Sequence, residues 1–448
     1  MRKYIEDRER TVVIFALLLY PLLSLPQQTA VFGVPFDSET IQRFIVPFTF
    51  QPGADTVEWT LTESIQHGFT RPIYSLSFLV DHTLWGTDYR LYHLTDFLLS
   101  WLTYAFIFFL FKRKFGLSVT LLALVLWTLH PVQTFSMASF TGRNDRLLVI
   151  FTLLTILLCD RAFQDRAGRK TFLLLALGTS VLGTFAKESS LPYLALSFGW
   201  CWIALGESFA SVTRKGRILW ISGAILFGFL MLTKPMISPQ LIVPIEVSGN
   251  SLIKFARLAD WSLPVRLSPD RFAGAAVILL LTLLILCRKF PGAVRFGAFL
   301  TLASLLPFVF VWVQRTFLWL PVIGVCLMVS SLVVHSFRYL SAKPYGRGLS
   351  AFLLFAVVAL TGLWGYRSGR DRVALPISVK LAVEHVYESQ AGPVYSTEGI
   401  LDQFPVLRDN FARNAAEPEV LSKSWNYFEQ LLQIRAGTLD ADLYVTDI

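Results

Sequence analysis

The chain has 448 residues and a net charge of +9, and 54% of its residues are hydrophobic while only 16% are charged. Soluble globular chains carry about 25% charged residues, so this composition excludes an ordinary soluble domain. The Lys and Arg residues are spread over six segments between apolar runs, which excludes the single basic patch of a nucleic-acid-binding protein.

Apolar runs near the bilayer-spanning length of roughly 20 residues recur along the chain. They predict an all-α polytopic membrane protein with about 11 transmembrane helices. These cover residues 11–30, 92–111, 117–136, 145–160, 171–187, 190–206, 218–234, 272–288, 296–313, 317–335 and 350–366. We expect the first helix to be retained, because Pro21 and Pro26 follow its apolar part and no small-residue cleavage site is present.

The basic loops predict an orientation, because short cytoplasmic loops of membrane proteins are rich in Lys and Arg. Basic loops alternate with less basic ones, and they lie at 1–10, 112–114, 161–170, 214–217, 288–295 and 338–347. We therefore predict a protein of the bacterial inner membrane, with its N-terminus in the cytoplasm and its C-terminus in the periplasm. The membrane domain is predicted at 1–366, and residues 367–448 are predicted to form a small, mostly helical extracytoplasmic tail.

The first outer loop contains a short amphipathic segment at 73–85. Ile73, Leu76, Val80 and Leu84 recur there at helical spacing, but the segment is too short and too polar to span a bilayer. The pattern predicts a helix that lies in the membrane interface.

Charged and polar residues gather at the predicted outer ends of the helices. Asp37 and Glu39 follow the first helix, and the other members are Arg71, His93, His130, Arg143, Lys187 and Arg315. A charge at membrane depth costs about 2.5–3.5 kcal/mol, so their collection on one face indicates a site. A carboxylate can take a proton from a hydroxyl, and Arg or Lys binds phosphate. We therefore expect an enzyme that acts on a lipid-anchored anionic substrate.

Several segments resemble one known family. They are 69–86 (FTRPIYSLSFLVDHTLWG) with 91–96 (LYHLTD), 130–134 (HPVQT) with 141–147 (TGRNDRL), 185–189 (FAKES) and 315–320 (RTFLWL). In this order, over residues 11–335, they resemble the membrane part of the transmembrane and tetratricopeptide-repeat-containing O-mannosyltransferases and their bacterial relatives.

The resemblance implies a GT-C fold and the inverting transfer of a sugar from a polyprenyl-phosphate carrier to an acceptor hydroxyl outside the cytoplasm. This chain has no tetratricopeptide repeats, so a glycan, a lipid and a protein all stay open as the acceptor. The expected partners are the lipid-linked donor, the acceptor and membrane lipid, without nucleic acid.

The family carries an acidic motif after its first helix, and the matching residues here are Asp37 and Glu39. Asp37 is our first choice for the general base, and Glu39 is expected to orient the acceptor or support Asp37. Relatives often have adjacent acids where Ser38 separates these two, so the choice of base between them stays open. Their spacing is compatible with a divalent cation but does not require one.

The outer-facing cations are candidates for binding substrate. Arg143 and Arg315 are expected to bind the carrier phosphate, with Arg71 and Lys187 as further candidates. The alternatives are structural: Arg143 pairs with Asp145, and Lys187 pairs with its neighbour in sequence.

His93 and His130 are expected to bind sugar or phosphate, or instead to satisfy backbone carbonyls. Cysteine contributes no predicted metal site, because the four residues fall in helices without metal-ligand spacing; they are Cys159, Cys201, Cys287 and Cys326. Three other function classes stay open: an O-antigen ligase or polymerase, a transporter or flippase, and a non-catalytic assembly component.

Overall fold

The computed structural model describes residues 2–36, 40–45, 48–49, 58–62, 71–187, 190, 193–237, 249–262, 270–309, 318–341, 346–388, 395–396 and 445–446. Its described part is almost entirely helical. The two strands that it contains, Tyr395–Ser396 and Val445–Thr446, have two residues each and pair in parallel. Asp37, Glu39 and Arg315 lie outside these ranges, as do the predicted tail runs at 405–414 and 424–434.

The helices that build the fold are numbered in chain order. They are α1 (Arg2–Val31), α2 (Pro72–Trp85), α3 (Tyr89–Phe115), α4 (Leu117–Leu129), α5 (Pro131–Met137), α6 (Arg143–Gln164), α7 (Arg169–Ala186), α8 (Leu194–Gly199), α9 (Phe209–Lys215), α10 (Arg217–Ile237), α11 (Gly249–Ser262), α12 (Arg271–Leu286), α13 (Gly292–Val309), α14 (Trp319–Ser341) and α15 (Gly346–Glu388).

Each of the eleven predicted segments overlaps a helix, but several bounds differ from the prediction. The helix predicted at 350–366 continues to Glu388 and includes Pro376, so it passes through the expected boundary between membrane domain and tail. The helix predicted at 190–206 is α8 followed by a π-helical turn at Trp200–Ala204.

The helix predicted at 117–136 is broken into α4 and α5, whose axes differ in direction by 53°. The break falls at His130 and Pro131, because proline offers no backbone N–H and pushes the residue before it out of the helical region. His130 is extended there, and its side chain accepts a hydrogen bond from the Val132 N–H that begins α5.

Several helices are long and apolar enough to cross a membrane. Within the described ranges five qualify as spans, or six if α4 and α5 form one broken span. The five are Glu9–Pro26, Tyr89–Phe115, Phe140–Gln164, Trp319–Ser341 and Gly348–Arg367. Other apolar helices are only 10–17 residues long, so the structure does not reach the eleven crossings expected from the sequence.

The predicted interfacial segment is helix α2. Pro72 is its first residue, where a missing N–H is harmless, and Gly86 ends it at φ 58°, which favours glycine. Leu76, Val80 and Leu84 form its exposed face, with 37%, 55% and 61% of their surface accessible. An apolar outer face is what a helix lying in the membrane interface needs.

Helix α6 lies centrally and packs against α3 and α7 along its length. Its first turn also meets α2, the short α5 and the start of α14. These contacts bring together residues from four separate parts of the chain, and the polar groups described next lie at this junction.

Candidate functional site

Arg143 lies fully buried at the first position of α6. Its guanidinium forms ion pairs with Asp81 of α2, at 2.6 Å from Nη1 to Oδ2, and with Asp96 of α3, at 2.6 Å from Nε to Oδ1. A buried charge is tolerated when it is paired and hydrogen-bonded. Arg143 therefore ties α2 and α3 to the start of α6.

Arg143 also binds two backbone carbonyls through its Nη atoms. They donate to the carbonyls of Tyr92, at 3.1 Å, and Ser77, at 3.3 Å. The guanidinium carbon lies 4.3 Å from the centre of the Phe78 ring, at the distance of a cation–π contact. The structure thus places Arg143 in an anchoring network, and the predicted alternative of a pair with Asp145 is wrong.

Arg146 lies one turn further along the same face of α6, because residues three apart are neighbours on a helix. Its Nη1 lies 3.0 Å from Asp96 Oδ1, the oxygen that also binds Arg143. Its Nη2 donates to the carbonyl of Ser136 in α5, and its guanidinium carbon lies 5.9 Å from the Trp319 ring. One carboxylate oxygen therefore serves two arginines.

Asp145 forms a separate buried ion pair. The Lys187 ammonium lies 2.5 Å from Asp145 Oδ1 and 5.5 Å from the centre of the Phe308 ring. Arg71, which is half-buried, is close enough to Asp145 to interact with it electrostatically. Lys187 thus pairs with a residue 42 positions away, and Glu188, its predicted partner, lies outside the described residues.

The two predicted histidines are buried and bind backbone carbonyls. His93 Nε2 lies 2.8 Å from the Val34 oxygen, and the ring stacks on Phe140 at 4.2 Å. His130 Nε2 lies 3.4 Å from the oxygen of Ser262 at the end of α11. Each imidazole links distant elements, as a structural histidine does, and contact with sugar or phosphate stays a prediction.

Two titratable groups on α2 respond to burial. Burial raises the pKa of Asp81, while the positive charge of Arg143 opposes this shift. Burial lowers the pKa of His82, whose Nε2 lies 3.3 Å from the Thr49 hydroxyl. Both shifts favour the uncharged form at the predicted membrane interface.

The segment that leads to the predicted acids is fixed against this junction. Phe36, one residue before Asp37, is buried, and its ring lies 4.9 Å from that of Tyr92 and 5.1 Å from that of Phe140. The Tyr92 ring centre also lies 5.9 Å from the Arg143 guanidinium carbon. Phe36 and Arg143 therefore share a neighbour.

The segment that follows Arg315 reaches the same junction. The described chain resumes at Leu318, and the buried Trp319 lies beneath Arg146 and 5.2 Å from the Trp127 ring. Phe36, just before the predicted acids, thus contacts residues next to the start of α6. Trp319, four positions after Arg315, contacts Arg146 in the first turn of α6.

Asp81, Asp96 and Arg146 have no role predicted from the sequence, and Asp145 was considered only as a partner of Arg143. One signal was available: Asp96 and Arg146 each lie within an apolar helix, and an intramembrane charge requires a partner. Which residues pair with one another depends on the contacts among α2, α3 and α6, and the sequence does not show these contacts.

The described ranges contain no group of three or more His, Cys, Asp and Glu residues able to hold a metal ion. All four cysteines are free; Cys159, Cys201 and Cys326 are buried and Cys287 is partly exposed.

No protein-family model, no curated protein and no solved structure matches this chain.

Proposed function

We propose that the chain is an integral-membrane glycosyltransferase that moves a sugar from a polyprenyl-phosphate donor to an acceptor hydroxyl, with inversion at the anomeric carbon. Its helices form a GT-C-like domain with eleven crossings and a cytoplasmic N-terminus. The site opens to the periplasm or lumen, where the prenyl chain stays in the bilayer and the sugar phosphate reaches the interface.

The proposal is supported by the contacts that two distant chain segments make with residues at or next to the start of α6. Phe36 precedes the predicted acids and contacts Tyr92 and Phe140, while Trp319 follows Arg315 and lies beneath Arg146. We expect the carboxylates of Asp37 and Glu39 and the cation of Arg315 to lie near the same junction, since the described residues nearest them in sequence contact it. Membrane proteins bury ionisable groups at such cost mainly where they serve function.

The chemistry assigns one role to each charge. Asp37 takes the proton of the acceptor hydroxyl while that oxygen attacks the anomeric carbon from the face opposite the phosphate. The bond from the anomeric carbon to the phosphate oxygen breaks, and the phosphate leaves with the electron pair. Positive charge from Arg315, Lys187 and Arg71 stabilises the leaving phosphate. Arg143 is a positioning residue, because its donors are already bound to protein.

The test is glycan analysis of host cells. Cells without the protein, and cells that express the wild type, Asp37→Asn, Glu39→Gln or Glu58→Gln, are compared by mass spectrometry of envelope glycans. Glu58 is the matched control, since it is an exposed carboxylate of the same outer loop. Loss of the general base reduces rates by about 10²–10⁴-fold, so Asp37→Asn leaves the glycan absent while Glu58→Gln restores it.

The same experiment can also contradict the enzymatic proposal. If Asp37→Asn and Glu39→Gln both restore the glycan to the wild-type level, neither carboxylate does chemistry, and the enzymatic proposal is wrong. Comparison of the two variants also decides which acid is the base.

A second candidate function, a transporter of lipid-linked sugar, is favoured by the break between α4 and α5. The axes of α4 and α5 differ by 53°, and transporters commonly form their substrate sites with broken helices. Such a protein would move the donor across the membrane without chemistry at Asp37. Normal glycan in the Asp37→Asn cells, together with its loss in cells without the protein, would support this function.

A further inference from the structure

Buried polar atoms without a hydrogen-bond partner concentrate around α5 and the first turn of α6. In the described part of the chain they include Asp96 Oδ2, Arg146 Nε, Ser136 Oγ and both amide atoms of Gln133. Natural proteins leave few such atoms per hundred residues, and each one requires an explanation. Their concentration where α3, α5 and α6 adjoin indicates a place that is built for a polar ligand.

Direct contacts join several of these residues into one group, which we call the Arg146 cluster: Trp127, Trp319, Arg146, Asp96 and Ser136. The two indole rings lie 5.2 Å apart, and the Arg146 guanidinium carbon lies 5.9 Å from the Trp319 ring. Arg146 in turn contacts Asp96, at 3.0 Å, and the carbonyl of Ser136. Neither indole N–H has a hydrogen-bond partner among the described residues.

Gln133 extends the Arg146 cluster along α5. It lies three positions before Ser136, so the two side chains are neighbours on one face of that helix. Gln133 is buried, and its amide offers both donors and an acceptor. A short helix that is held at an angle by Pro131 thus brings a second set of polar atoms to the cluster.

The net charge of the site and its mix of hydrogen-bond donors and acceptors indicate which class of ligand it would bind. Arg143 and Arg146 are matched by Asp81 and Asp96, so the site has no net charge to attract an ion. The unpartnered atoms include donors and acceptors in similar numbers, and hydroxyl groups satisfy both kinds at once. Indole rings add flat apolar surface. An uncharged ring with several hydroxyls fits this set, and a phosphate does not.

We infer that the Arg146 cluster, together with Gln133, binds the sugar ring of the carrier-linked donor. The inference rests on the proposed function and names the part of the site that recognises the sugar. Asp145 and Arg146 are adjacent in sequence but enter different contacts, with Lys187 and with Asp96. The first turn of α6 therefore separates a phosphate side near Lys187 from a sugar side at Arg146.

The experiment compares a donor with and without its sugar. Farnesyl phosphate and farnesyl-phosphate-linked mannose and glucose are titrated calorimetrically into the purified full-length protein in lipid nanodiscs. We expect wild-type protein to bind at least one sugar-linked probe about tenfold more tightly than farnesyl phosphate, since two or three added hydrogen bonds supply that ratio. Gln133→Leu and Trp319→Phe reduce the ratio to near one and leave the affinity for farnesyl phosphate unchanged.

Matched controls come from the opposite end of α6. Gln164→Leu removes an exposed amide, and Trp200→Phe removes an indole N–H that donates to Asp160 at 3.1 Å. Both controls should keep the wild-type ratio. Size-exclusion profiles check the fold of every variant, and Trp319→Phe, which keeps an aromatic ring, serves if Gln133→Leu is unstable.

The outcomes separate the two proposals. If the sugar-linked probes keep their advantage in both Gln133→Leu and Trp319→Phe, the sugar site lies elsewhere and the proposed function is untouched. If wild-type protein binds neither farnesyl phosphate nor its sugar-linked forms, the proposed function fails and this inference fails with it.

Discussion

At both ends of α6 a buried Asp residue pairs with Arg, but the two ends differ in how completely these residues are hydrogen-bonded. At its C-terminal end Asp160 is fully satisfied: Oδ2 accepts from Arg113 at 3.0 Å and from Gln164 at 2.8 Å, and Oδ1 accepts from Trp200 at 3.1 Å. The Arg113 side chain is 48% exposed. This end is a closed hydrogen-bond network at the predicted cytoplasmic face.

The N-terminal end of α6 buries more charge and satisfies it less completely. Asp96 Oδ1 serves Arg143 and Arg146 together, whereas no described residue donates to its Oδ2. A structural network has no need of buried atoms that lack partners, because each one weakens the fold. The difference fits a structural role for the Asp160 end and the proposed binding role for the Arg146 end.

The largest expected effect is on stability, from the loss of Arg143. Arg143→Met leaves Asp81 and Asp96 partly uncompensated in the interior, which costs about 3–5 kcal/mol of unfolding free energy. Arg113→Met removes a half-exposed partner and costs about 0–1 kcal/mol. Thermal unfolding in detergent measures both. Equal effects of the two substitutions would contradict the difference drawn between the ends.

Two lysines allow a buried ion pair to be compared with a more exposed one. Lys187 pairs with Asp145 in the interior, with 6% of each side chain exposed, while Lys215 pairs with Glu207 at about a quarter exposed. We expect Lys187→Met to cost about 3 kcal/mol and Lys215→Met less than about 1 kcal/mol. Asp145→Asn in the Lys187→Met background should recover part of the loss, because it removes the stranded charge. Failure of that rescue would show that the lysine acts through its other contacts.

A smaller effect is expected where the backbone of α5 approaches α6. A Cβ on Gly142 would lie 2.8 Å from the Ser136 oxygen, which accepts from Arg146, whereas a Cβ on Gly178 has nothing within 4 Å. Gly142→Ala should therefore destabilise by about 1–3 kcal/mol and weaken binding of sugar-linked probes. Gly178→Ala, in a helix interior, should stabilise by about 0.5–1 kcal/mol. A harmless Gly142→Ala would mean that the junction is loosely packed.

The smallest effect is a contrast in pH dependence. Burial raises the pKa of Asp81, so its stabilising contribution is present below about pH 4 and is lost as pH rises through the folded-state value. Hydrogen bonds from Lys215 and Ser211 lower the pKa of Glu207, so its contribution is present above its unfolded-state value and is lost as pH falls.

Unfolding curves of Asp81→Asn and Glu207→Gln across about pH 3–7 test these signs. The stability of the wild type relative to Asp81→Asn should fall as pH rises, and relative to Glu207→Gln it should fall as pH decreases. Parallel slopes for the two variants would refute the assigned directions.

Local sequence signals predicted the helices well. Apolar runs placed a helix at each of the eleven predicted segments, and residues 73–85 at α2. The signals were weaker where helices change direction. Pro131 was recognised as unfavourable for helix, yet the apolar pattern runs through it, so the 53° break at His130 appears only in the structure. Helix α15 likewise continues past 366, where the apolar run ends, to Glu388.

Pairing between distant residues could not be predicted in the same way. Arg143 had an acid two positions away, but i and i+2 side chains point to different sides of a helix, so Arg143 pairs with Asp81 and Asp96 and leaves Asp145 to Lys187. Such partners are set by which helices touch. The roles of Asp37, Glu39 and Arg315 stay predictions, since those residues lie outside the described ranges.

The most direct test of the central claim is a distance from the acidic loop to the start of α6. Spin labels at Ser38→Cys and Thr141→Cys, with the partly exposed Cys287 replaced by Ser, are measured by pulsed electron paramagnetic resonance. A control pair at Thr141→Cys and Arg166→Cys spans α6, which at 1.5 Å per residue gives roughly 35 Å.

Phe36 contacts Phe140, and two residues of chain add at most about 7 Å, so we expect a distance below about 20 Å for the first pair. A distribution centred at or beyond that of the control pair would place the carboxylates away from the arginines, and the account would be wrong.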